Sequence, residues 1–340
     1  MNTAAMEATA IELVAPGKGI LAADESGPTI EKRFQSVGVA STEETRRAYR
    51  ELLFTTPGLG AFVSGVILFD ETVRQTTPDG KPLIDVLVGH GLIPGIKVDK
   101  GVKALAGFPG EKITEGLDGL RERLADYARL GARFAKWRAV FTIGAQGPTR
   151  AGVDANCHAL ARFAALCQEA GLVPIVEPEV LMEGEHTLAR HYEVTEIALR
   201  SLFHELFVQR VHLEALLLKV NMVLAGTLCP RPATLDEEVQ ATWRCIQHAV
   251  PAAVPGIVFL SGGQSDVHAT EHLDALNRVG PTPWELSFSF GRALQAPALK
   301  AWAGQVGHAA AAQHALLHRA RCNSAARFGR YTSGMEAKDA

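Results

Sequence analysis

A lysine lies in the middle of a strongly apolar stretch, residues 214–224, which reads E-A-L-L-L-K-V-N-M-V-L. Such a run is typical of a strand buried on both faces of a parallel sheet. Burying Lys219 costs several kcal/mol unless its ammonium group is paired or loses its proton. Burial and nearby positive charge lower a lysine pKa from about 10.4, and the neutral amine attacks carbonyl carbons to form Schiff bases. Lys219 is therefore a candidate nucleophile, although an isolated lysine could instead extend to solvent at the strand end.

Other charged and polar residues recur at the ends of further apolar runs, often two apart. Residues two apart in a strand project from one face, so each pair is expected to point in one direction. A mixed-sign cluster is costly to desolvate, and such clusters tune pKa values for catalysis more often than they stabilise a fold. A purely structural ion-pair network is the alternative interpretation. Besides Lys219, the expected members are Asp24, Lys97, Asp99, Lys136, Arg138, Glu177, Glu179, Asn221, Ser287 and Ser289.

Eight apolar runs alternate with helical patterns along the chain. This alternation over 340 residues predicts an α/β protein with a single (β/α)₈ barrel of the TIM type, spanning residues 1–340 as one domain. Pro178 has no N–H, which predicts that the ladder of the fifth strand ends near it. The small, polar tail over residues 329–340 is predicted to be mobile. The predicted strands are 19–24, 62–69, 93–98, 132–140, 172–177, 216–223, 256–261 and 284–290; the predicted helices include 117–130, 153–170, 194–210, 235–249, 265–279 and 309–320.

Two glycine-containing turns follow the last two predicted strands, S-G-G-Q-S at 261–265 and F-G-R at 290–292. Glycines let backbone N–H groups approach an anion, and a helix N-terminus favours negative charge. Barrels often bind phosphate at the loops after strands seven and eight. These turns therefore predict a phosphate site, and a second anion site is expected from Lys97, Arg138 and the loop 26–33.

Composition excludes several other classes of protein. The net charge of −3 argues against general nucleic-acid binding. Five widely spaced cysteines without a C-x-x-C pair predict reduced thiols in the cytoplasm. Neither a signal peptide nor an apolar run of about 18 residues is present, so no membrane span is expected.

One motif, H-A-T-E-H at 268–272, has the spacing H-x-x-E-H of an inverted zincin. Helical spacing would place both histidines on one face. The motif falls on the helix after the seventh strand, outside the barrel, and its Ala, Thr and Leu surroundings are typical of an ordinary surface helix. The sequence therefore predicts no metal ligands here.

Taken together, these motifs resemble class I fructose-bisphosphate aldolase, the Schiff-base, metal-independent kind. The resemblance covers nearly the whole chain. The motifs that carry it are G-I-L-A-A-D-E-S (19–26), G-V-I-L-F (65–69), G-I-K-V-D-K-G-V (95–102), G-L-D-G-L (116–120), F-A-K-W-R (134–138), V-P-I-V-E-P-E (173–179), L-L-K-V-N-M-V (217–223), F-L-S-G-G-Q-S (259–265) and F-G-R-A-L-Q (290–295).

The resemblance implies a set of catalytic roles and no cofactor or metal. Lys219 would attack the substrate ketone, and Glu177 would be the general acid/base for dehydration of the carbinolamine. Asp24 would take the proton of the C4 hydroxyl as the C3–C4 bond breaks. Lys136 would help lower the Lys219 pKa and stabilise charge on the intermediates, and Glu179 would orient its neighbours. The ketone-side phosphate would be held by Ser261, Gly262, Gly291 and Arg292; the aldehyde-side phosphate would be held by Ser26, Arg33, Lys97 and Arg138.

The chain departs from the family pattern at two places. The usual first loop, D-E-S-T-G-S, is here D-E-S-G-P-T at 24–29, and Pro28 removes one backbone donor. The family's animal and plant members end in a tyrosine that assists proton exchange at C3, whereas the last tyrosine here is Tyr331. These departures leave open the preference for a bisphosphate over a monophosphate and the group that serves at C3.

Three functions remain as hypotheses at this point. The first is reversible cleavage of fructose 1,6-bisphosphate to dihydroxyacetone phosphate and glyceraldehyde 3-phosphate. The second is a Schiff-base aldolase for a related phosphosugar, and the third is a non-catalytic scaffold. By family resemblance the chain is expected to form a homotetramer, and its partner is a phosphorylated sugar.

Overall fold

A computed structural model describes residues 3–144 and 147–337 of the chain. Eight parallel strands close into a barrel in the order β1-β10-β9-β8-β7-β6-β3-β2, which confirms the predicted (β/α)₈ barrel. A separate antiparallel hairpin, β4 with β5, was not predicted. In chain order the strands are β1 (Gly19–Ala23), β2 (Val63–Leu68), β3 (Ile93–Lys97), β4 (Val102–Ala104), β5 (Lys112–Thr114), β6 (Phe134–Phe141), β7 (Val173–Val180), β8 (Leu217–Val220), β9 (Gly256–Phe259) and β10 (Glu285–Phe290).

Helices surround the barrel and connect its strands. The six predicted helical stretches all form helices, with ends that differ by a few residues and with α12 seven residues longer than expected at its C-terminal end. The helices are α1 (Thr3–Leu13), α2 (Gly27–Gln35), α3 (Glu43–Phe54), α4 (Asp70–Arg74), α5 (Leu83–Gly89), α6 (Leu120–Arg129), α7 (Arg150–Glu169), α8 (Leu188–Val208), α9 (Leu235–Ala249), α10 (Asp266–Arg278), α11 (Arg292–Trp302) and α12 (Ala309–Arg327). Within the described ranges, none of these helices combines the length and apolarity needed to cross a bilayer.

The N-terminal end of the barrel is closed by apolar side chains. Helix α1 packs there, and Leu13 and Val14 join the interior cluster of the strands. Both side chains pack directly against the backbone of a glycine. A Cβ added at Gly65 would lie only 2.7 Å from Leu13, and one added at Gly256 would lie only 2.6 Å from Val14. This end is therefore sealed and apolar, which leaves the carboxyl ends of the strands as the open, polar end.

Strand β7 corrects one prediction. It continues past Pro178 to Val180 and stays paired with β6 as far as Phe141. The ladder thus does not end at the proline, and the loss of one donor is tolerated within a pair that continues on both sides.

Strand β8 ends earlier than predicted, at Val220 instead of residue 223. The side chain of Asn221 explains the difference, because its Oδ1 accepts the Val180 N–H at 2.8 Å. A side-chain amide thus replaces the next ladder bond and frees the backbone to leave the sheet.

The C-terminal segment packs against the barrel as far as it is described. Tyr331 is buried, its N–H donates to Asp274 at 2.7 Å, and its hydroxyl donates to Glu336 at 2.7 Å. Tyr331 is therefore held outside the barrel mouth. Residues 338–340 of the predicted mobile tail lie outside the described residues, and the mobility of the tail remains a prediction.

Candidate active site

Four charged side chains form a continuous buried network at the open end of the barrel. Lys136 Nζ lies 2.7 Å from Asp24 Oδ2 and 3.0 Å from Glu177 Oε2. Lys219 Nζ lies 3.1 Å from Glu177 Oε1. The side chains of Lys136, Glu177 and Lys219 are at most 5% exposed, and that of Asp24 is 13% exposed. Two lysine side chains and two carboxylates thus alternate in one chain of contacts, which offsets the cost of burying charged groups.

The period of the strands explains why these four side chains meet. Each follows, by two residues, an apolar residue of the barrel interior, so it projects into the same interior space one layer nearer the open end. Strands β6, β7 and β8 are neighbours, and closure of the barrel brings the end of β1 across to them. The pairs are Ala22 and Asp24, Phe134 and Lys136, Ile175 and Glu177, and Leu217 and Lys219.

The network fixes the charge of three of its members. Burial alone would raise the pKa values of Asp24 and Glu177, but the positive charges of Lys136 and Lys219 hold both pKa values below their ordinary range. Burial alone would lower the pKa of Lys136, but Asp24 and Glu177 outweigh it and raise that pKa. Lys136 is therefore a fixed cation, and both carboxylates are ionised at neutral pH.

We expect stability to fall as the pH drops below about 4, where the unfolded carboxyl groups titrate. Asp24 and Glu177 have lowered pKa values in the folded protein, so they contribute stability above the unfolded pKa and lose it as pH falls through the folded pKa. Lys136→Met should cost about 3–5 kcal/mol at pH 7, because it leaves buried carboxylates without their cation. Denaturant midpoints at pH 7, 5, 4 and 3 measure both effects.

The exposed pair between Arg121 and Glu169 offers a matched control, since Arg121→Met should leave the midpoint nearly unchanged at every pH. A wild-type midpoint that is flat from pH 7 to pH 3 would contradict the assigned charges. So would a Lys136→Met variant as stable as the wild type.

A second buried network holds the loop that carries Asp24. The carboxylate of Glu25 contacts Arg33, lies 2.5 Å from Arg50 Nη1 and accepts from Gln295 Nε2 at 2.9 Å. Burial would raise the pKa of Glu25, but Arg50 and Arg33 keep it lowered. Sequence reasoning missed Arg50 and Gln295, because their helices α3 and α11 gave no sign that they face the end of β1.

The predicted turn after β9 lines a small cavity. Gly262 has φ +55°, and Arg292 Nη2 donates to its carbonyl oxygen. The cavity has a volume of about 70 Å³, and two arginine side chains in its lining would attract an anion. Predicted site residues in its lining are Arg138, Glu179, Ser261, Gly262 and Arg292.

Met182 is a neighbour of this cavity that the sequence did not single out. Its Sδ accepts the Gly263 N–H at 3.0 Å. Met182 lies just beyond Glu179 and the end of β7. This position at the end of a barrel strand was the only sequence signal that could have identified it.

Gly291, at the start of α11, brings the other predicted turn next to Arg33. A Cβ added at Gly291 would lie 3.6 Å from Arg33 Nη2 and 3.4 Å from the Ala22 carbonyl oxygen. Arg33 was predicted on the aldehyde side, yet it reaches the backbone of a residue predicted on the ketone side. Its guanidinium therefore lies where the two predicted phosphate positions adjoin.

The remaining predicted cations are paired with carboxylates. Lys97 Nζ lies 2.6 Å from Asp99 Oδ1, and Arg138 Nε donates to Glu179 Oε2. Glu179 therefore holds the guanidinium of Arg138, and its orienting role in the reaction remains a prediction. Ser26 Oγ lies 3.2 Å from Thr29 Oγ1 at the first turn of α2.

The two serines of β10 do not share the expected environment. Ser287 Oγ donates to the Lys18 carbonyl oxygen at 2.8 Å, near the start of β1, so Ser287 is not a member of the cluster. Ser289 is buried, and its Oγ has no hydrogen-bond partner among residues 3–144 and 147–337. Their positions along β10 explain the difference, because Ser287 lies one layer of side chains nearer the sealed end of the barrel than Ser289.

A buried amine held against a carboxylate at the carboxyl ends of barrel strands places the chain among the (β/α)₈-barrel enzymes, whose chemistry occurs at this end. Comparison with known proteins then gives the family. A family model described as "Fructose-bisphosphate aldolase class-I" matches residues 5–340, and the chain belongs to this family.

Relatives match over almost the entire chain. A probable fructose-bisphosphate aldolase class 1 of Xylella fastidiosa is 56% identical over 97% of this chain and 99% of its own length. Fructose-bisphosphate aldolase 5, cytosolic, of Arabidopsis thaliana is 52% identical over 96% of this chain and 91% of its own. A solved structure of the Plasmodium falciparum aldolase, in complex with TRAP and a small-molecule inhibitor, superposes with a TM-score of 0.96 at 47% identity, covering 98% of this chain and 96% of that one.

Family membership settles the broad activity. The chain is a lyase, and the family's reaction is a step of glycolysis on phosphorylated sugars. As a class I family, it implies no metal cofactor.

Proposed function

We propose that this chain cleaves fructose 1,6-bisphosphate reversibly to dihydroxyacetone phosphate and glyceraldehyde 3-phosphate through a Schiff base on Lys219. The contact of 3.1 Å between the buried Lys219 Nζ and Glu177 Oε1 carries the proposal. An iminium is a far better electron sink than a ketone, so covalent attachment divides one difficult cleavage into easier steps.

Schiff-base formation needs a proton relay, and Glu177 is in place for it. Glu177 accepts a proton from the Lys219 ammonium group, and the neutral amine attacks the C2 carbonyl carbon. The nitrogen loses a proton as the carbonyl oxygen gains one, which gives the carbinolamine. Glu177 then returns its proton to the leaving hydroxyl, so that water departs and the iminium forms. Proton transfer by a positioned carboxyl is worth about 10²–10⁴ in rate.

Cleavage follows at the other end of the network. Asp24 takes the proton of the C4 hydroxyl, the C3–C4 bond breaks, and its electron pair moves onto the iminium to form an enamine. Lys136, 2.7 Å from Asp24 and 3.0 Å from Glu177, stabilises negative charge on either carboxylate. Protonation at C3 and hydrolysis of the iminium release the second product and restore Lys219.

The two phosphates would orient the substrate across the network. We assign the ketone-side phosphate to Ser261, Gly262 and Arg292, which line the cavity, together with the neighbouring Gly291. The aldehyde-side phosphate goes to Ser26, Arg33, Lys97 and Arg138. Fixed orientation of this kind lowers a barrier by several kcal/mol.

The first loop motivates a test of substrate preference between fructose 1,6-bisphosphate and fructose 1-phosphate. Pro28 has no N–H, and the N–H groups of Thr29 and Ile30 already donate to the Ser26 carbonyl oxygen. Few backbone donors remain for the aldehyde-side phosphate. We expect Arg292→Ala to lower kcat/KM about 10–100-fold for both substrates, whereas Lys97→Met should do so only for the bisphosphate.

Lys103→Met serves as the control in that assay, because Lys103 is exposed on β4 and takes no part in either site. An equal loss for both substrates in Lys97→Met would refute the assignment of Lys97 to the aldehyde side. A wild type that prefers fructose 1-phosphate would favour the related phosphosugar aldolase instead.

Activity should not depend on a metal ion. We expect the initial rate to be unchanged after dialysis against EDTA, because an iminium on the lysine performs the electron withdrawal that a Lewis acid would otherwise supply. A rate that falls in EDTA and returns with added Zn²⁺ or Mg²⁺ would contradict the lysine mechanism.

We also infer that the chain forms a homo-oligomer, with four subunits as the family suggests, and works in the cytoplasm. Exposed apolar side chains such as Phe207, 81% exposed, support association, and no disulfide joins any of the five cysteines, which all lie in the described part of the chain. Light scattering that gives a monomer mass would refute the first inference. Recovery of the protein outside the cytoplasmic fraction would refute the second.

A further inference from the structure

A carboxylate and two histidines meet between helices α9 and α10, away from the barrel interior. Glu238 Oε2 lies 3.3 Å from His268 Nε2 and 3.8 Å from His272 Nδ1. One donor atom from each residue can be chosen so that all three lie within 4.8 Å of one another. The catalytic network does not use any of the three.

This cluster differs from the one that the motif H-x-x-E-H suggested. The two histidines do share a face of α10, but Glu271 is not the carboxylate beside them. Glu238, from the preceding helix, takes that place. Helix α10 lies outside the barrel, as predicted, and His272 is fully buried on its inner face.

Burial and hydrogen bonding at the cluster are typical of a ligand site. Glu238 Oε2 is buried, and within residues 3–144 and 147–337 it accepts no hydrogen bond of normal geometry. An unsatisfied buried carboxylate oxygen is costly. The ring of His272 is fully buried beside this oxygen. His268 is 38% exposed at its side chain and leaves a path from solvent.

The spacing of the donors suits a transition metal. Tetrahedral coordination at about 2.0–2.1 Å separates donor atoms by about 3.3 Å. The contact between Glu238 and His268 already has that length, and the contact with His272 needs to shorten by about 0.5 Å. Two imidazoles and one carboxylate form a donor set that binds Zn²⁺ in preference to Mg²⁺ or Ca²⁺, because the latter two ions favour oxygen ligands.

We propose that Glu238, His268 and His272 bind a divalent transition-metal ion of the Zn²⁺ type, at a site separate from the lysine chemistry. The side chain of Gln264 approaches the donor atom His272 Nδ1 at 3.5 Å, and rotation of its amide would present the oxygen as a fourth ligand. The ion would tie the turn 261–265 to helices α9 and α10. Binding of the ion therefore affects the stability of the folded protein. The iminium on Lys219 remains the electron sink of the proposed reaction.

A second cluster, His318, Cys322 and Glu336, has comparable donor spacing but is less suited to an ion. Its carboxylate already contacts Arg319 and accepts from the Tyr331 hydroxyl at 2.7 Å. Any metal bound there must be distinguished from metal at Glu238.

The test measures binding of Zn²⁺ by calorimetry and of Co²⁺ by visible absorption, on the metal-free full-length protein. We expect one ion per chain, tetrahedral Co²⁺ bands and a higher Tm with Zn²⁺. Glu238→Gln and His268→Gln should each weaken binding at least 10-fold. His158→Gln is the matched control, because His158 also contacts a glutamate of the next helix, Glu205 at 2.9 Å, without a second histidine.

Each outcome decides the proposal. Loss of binding in both variants at wild-type folding, with His158→Gln unaffected, supports the site. Binding that survives in Glu238→Gln places the ion elsewhere, for example at Cys322, and overturns it. Absence of stoichiometric binding in the wild type overturns it as well. None of these results bears on borohydride labelling of Lys219, so the proposed aldolase function stands or falls separately.

Discussion

Lys219→Met should abolish turnover, with kcat lowered at least about 10⁴-fold. The variant lacks the amine that forms the Schiff base, and Asp24 and Glu177 hold Lys136, the other lysine of the network, in its cationic form. Methionine fills nearly the same volume in the apolar strand, and Glu177 keeps Lys136 at 3.0 Å, so the fold should survive. The measurement is the rate of aldehyde release from fructose 1,6-bisphosphate, with circular dichroism to show that the variant is folded.

Chemical trapping gives an independent readout of the same prediction. Borohydride added with dihydroxyacetone phosphate should attach one adduct to wild-type protein, and peptide mapping should locate it at Lys219. Lys300→Met is the control, because Lys300 is exposed on α11, and it should keep both activity and the adduct. An adduct at another lysine would refute the assignment. Wild-type cellular function in cells that carry only Lys219→Met would support the scaffold hypothesis.

Glu177→Gln should lower kcat about 10²–10⁴-fold while leaving Lys219 able to react. Glutamine keeps the shape of the side chain, but it can neither accept the lysine proton nor return it to the leaving hydroxyl. Schiff-base formation should therefore become slow, and the borohydride adduct should still appear at Lys219 over a longer time. Stopped-flow trapping at a series of delays measures that rate.

The comparison of these two variants separates the nucleophile from the proton carrier. Glu193→Gln is the matched control, because Glu193 forms an exposed pair with Arg190, and its rate should equal that of the wild type. A Glu177→Gln variant that traps the adduct at the wild-type rate would show that Glu177 is not the proton carrier for dehydration. A complete loss of the adduct would instead show that no other group can replace Glu177 in positioning or deprotonating Lys219.

The sequence predicted that four charged side chains meet at the open end of the barrel, because they obey a local rule. Asp24, Lys136, Glu177 and Lys219 each follow an interior apolar residue by two positions, and the period of a strand fixes their common direction. Eight apolar runs that alternate with helices are typical of a closed parallel barrel. The same pattern therefore predicted both the barrel and the end of it at which the charged side chains lie.

That local rule could not predict contacts between side chains of elements that are far apart in the sequence. Glu25 meets Arg50 and Gln295, and Glu238 meets His272, although nothing in the local pattern of α3, α9 or α11 marks these partners. A helical pattern shows which face is apolar, but it does not show which buried charge of another element lies opposite.

The sequence by itself determined the class of fold, the interior direction of the charged side chains and the family to which they belong. The tertiary structure decided that Lys136 bridges two carboxylates, that Arg33 reaches Gly291 and that Ser287 faces the sealed end. The physical reason is that side-chain direction depends on the local backbone period, whereas contact distance depends on register and on closure of the barrel. Those two are set by the packing of the whole chain.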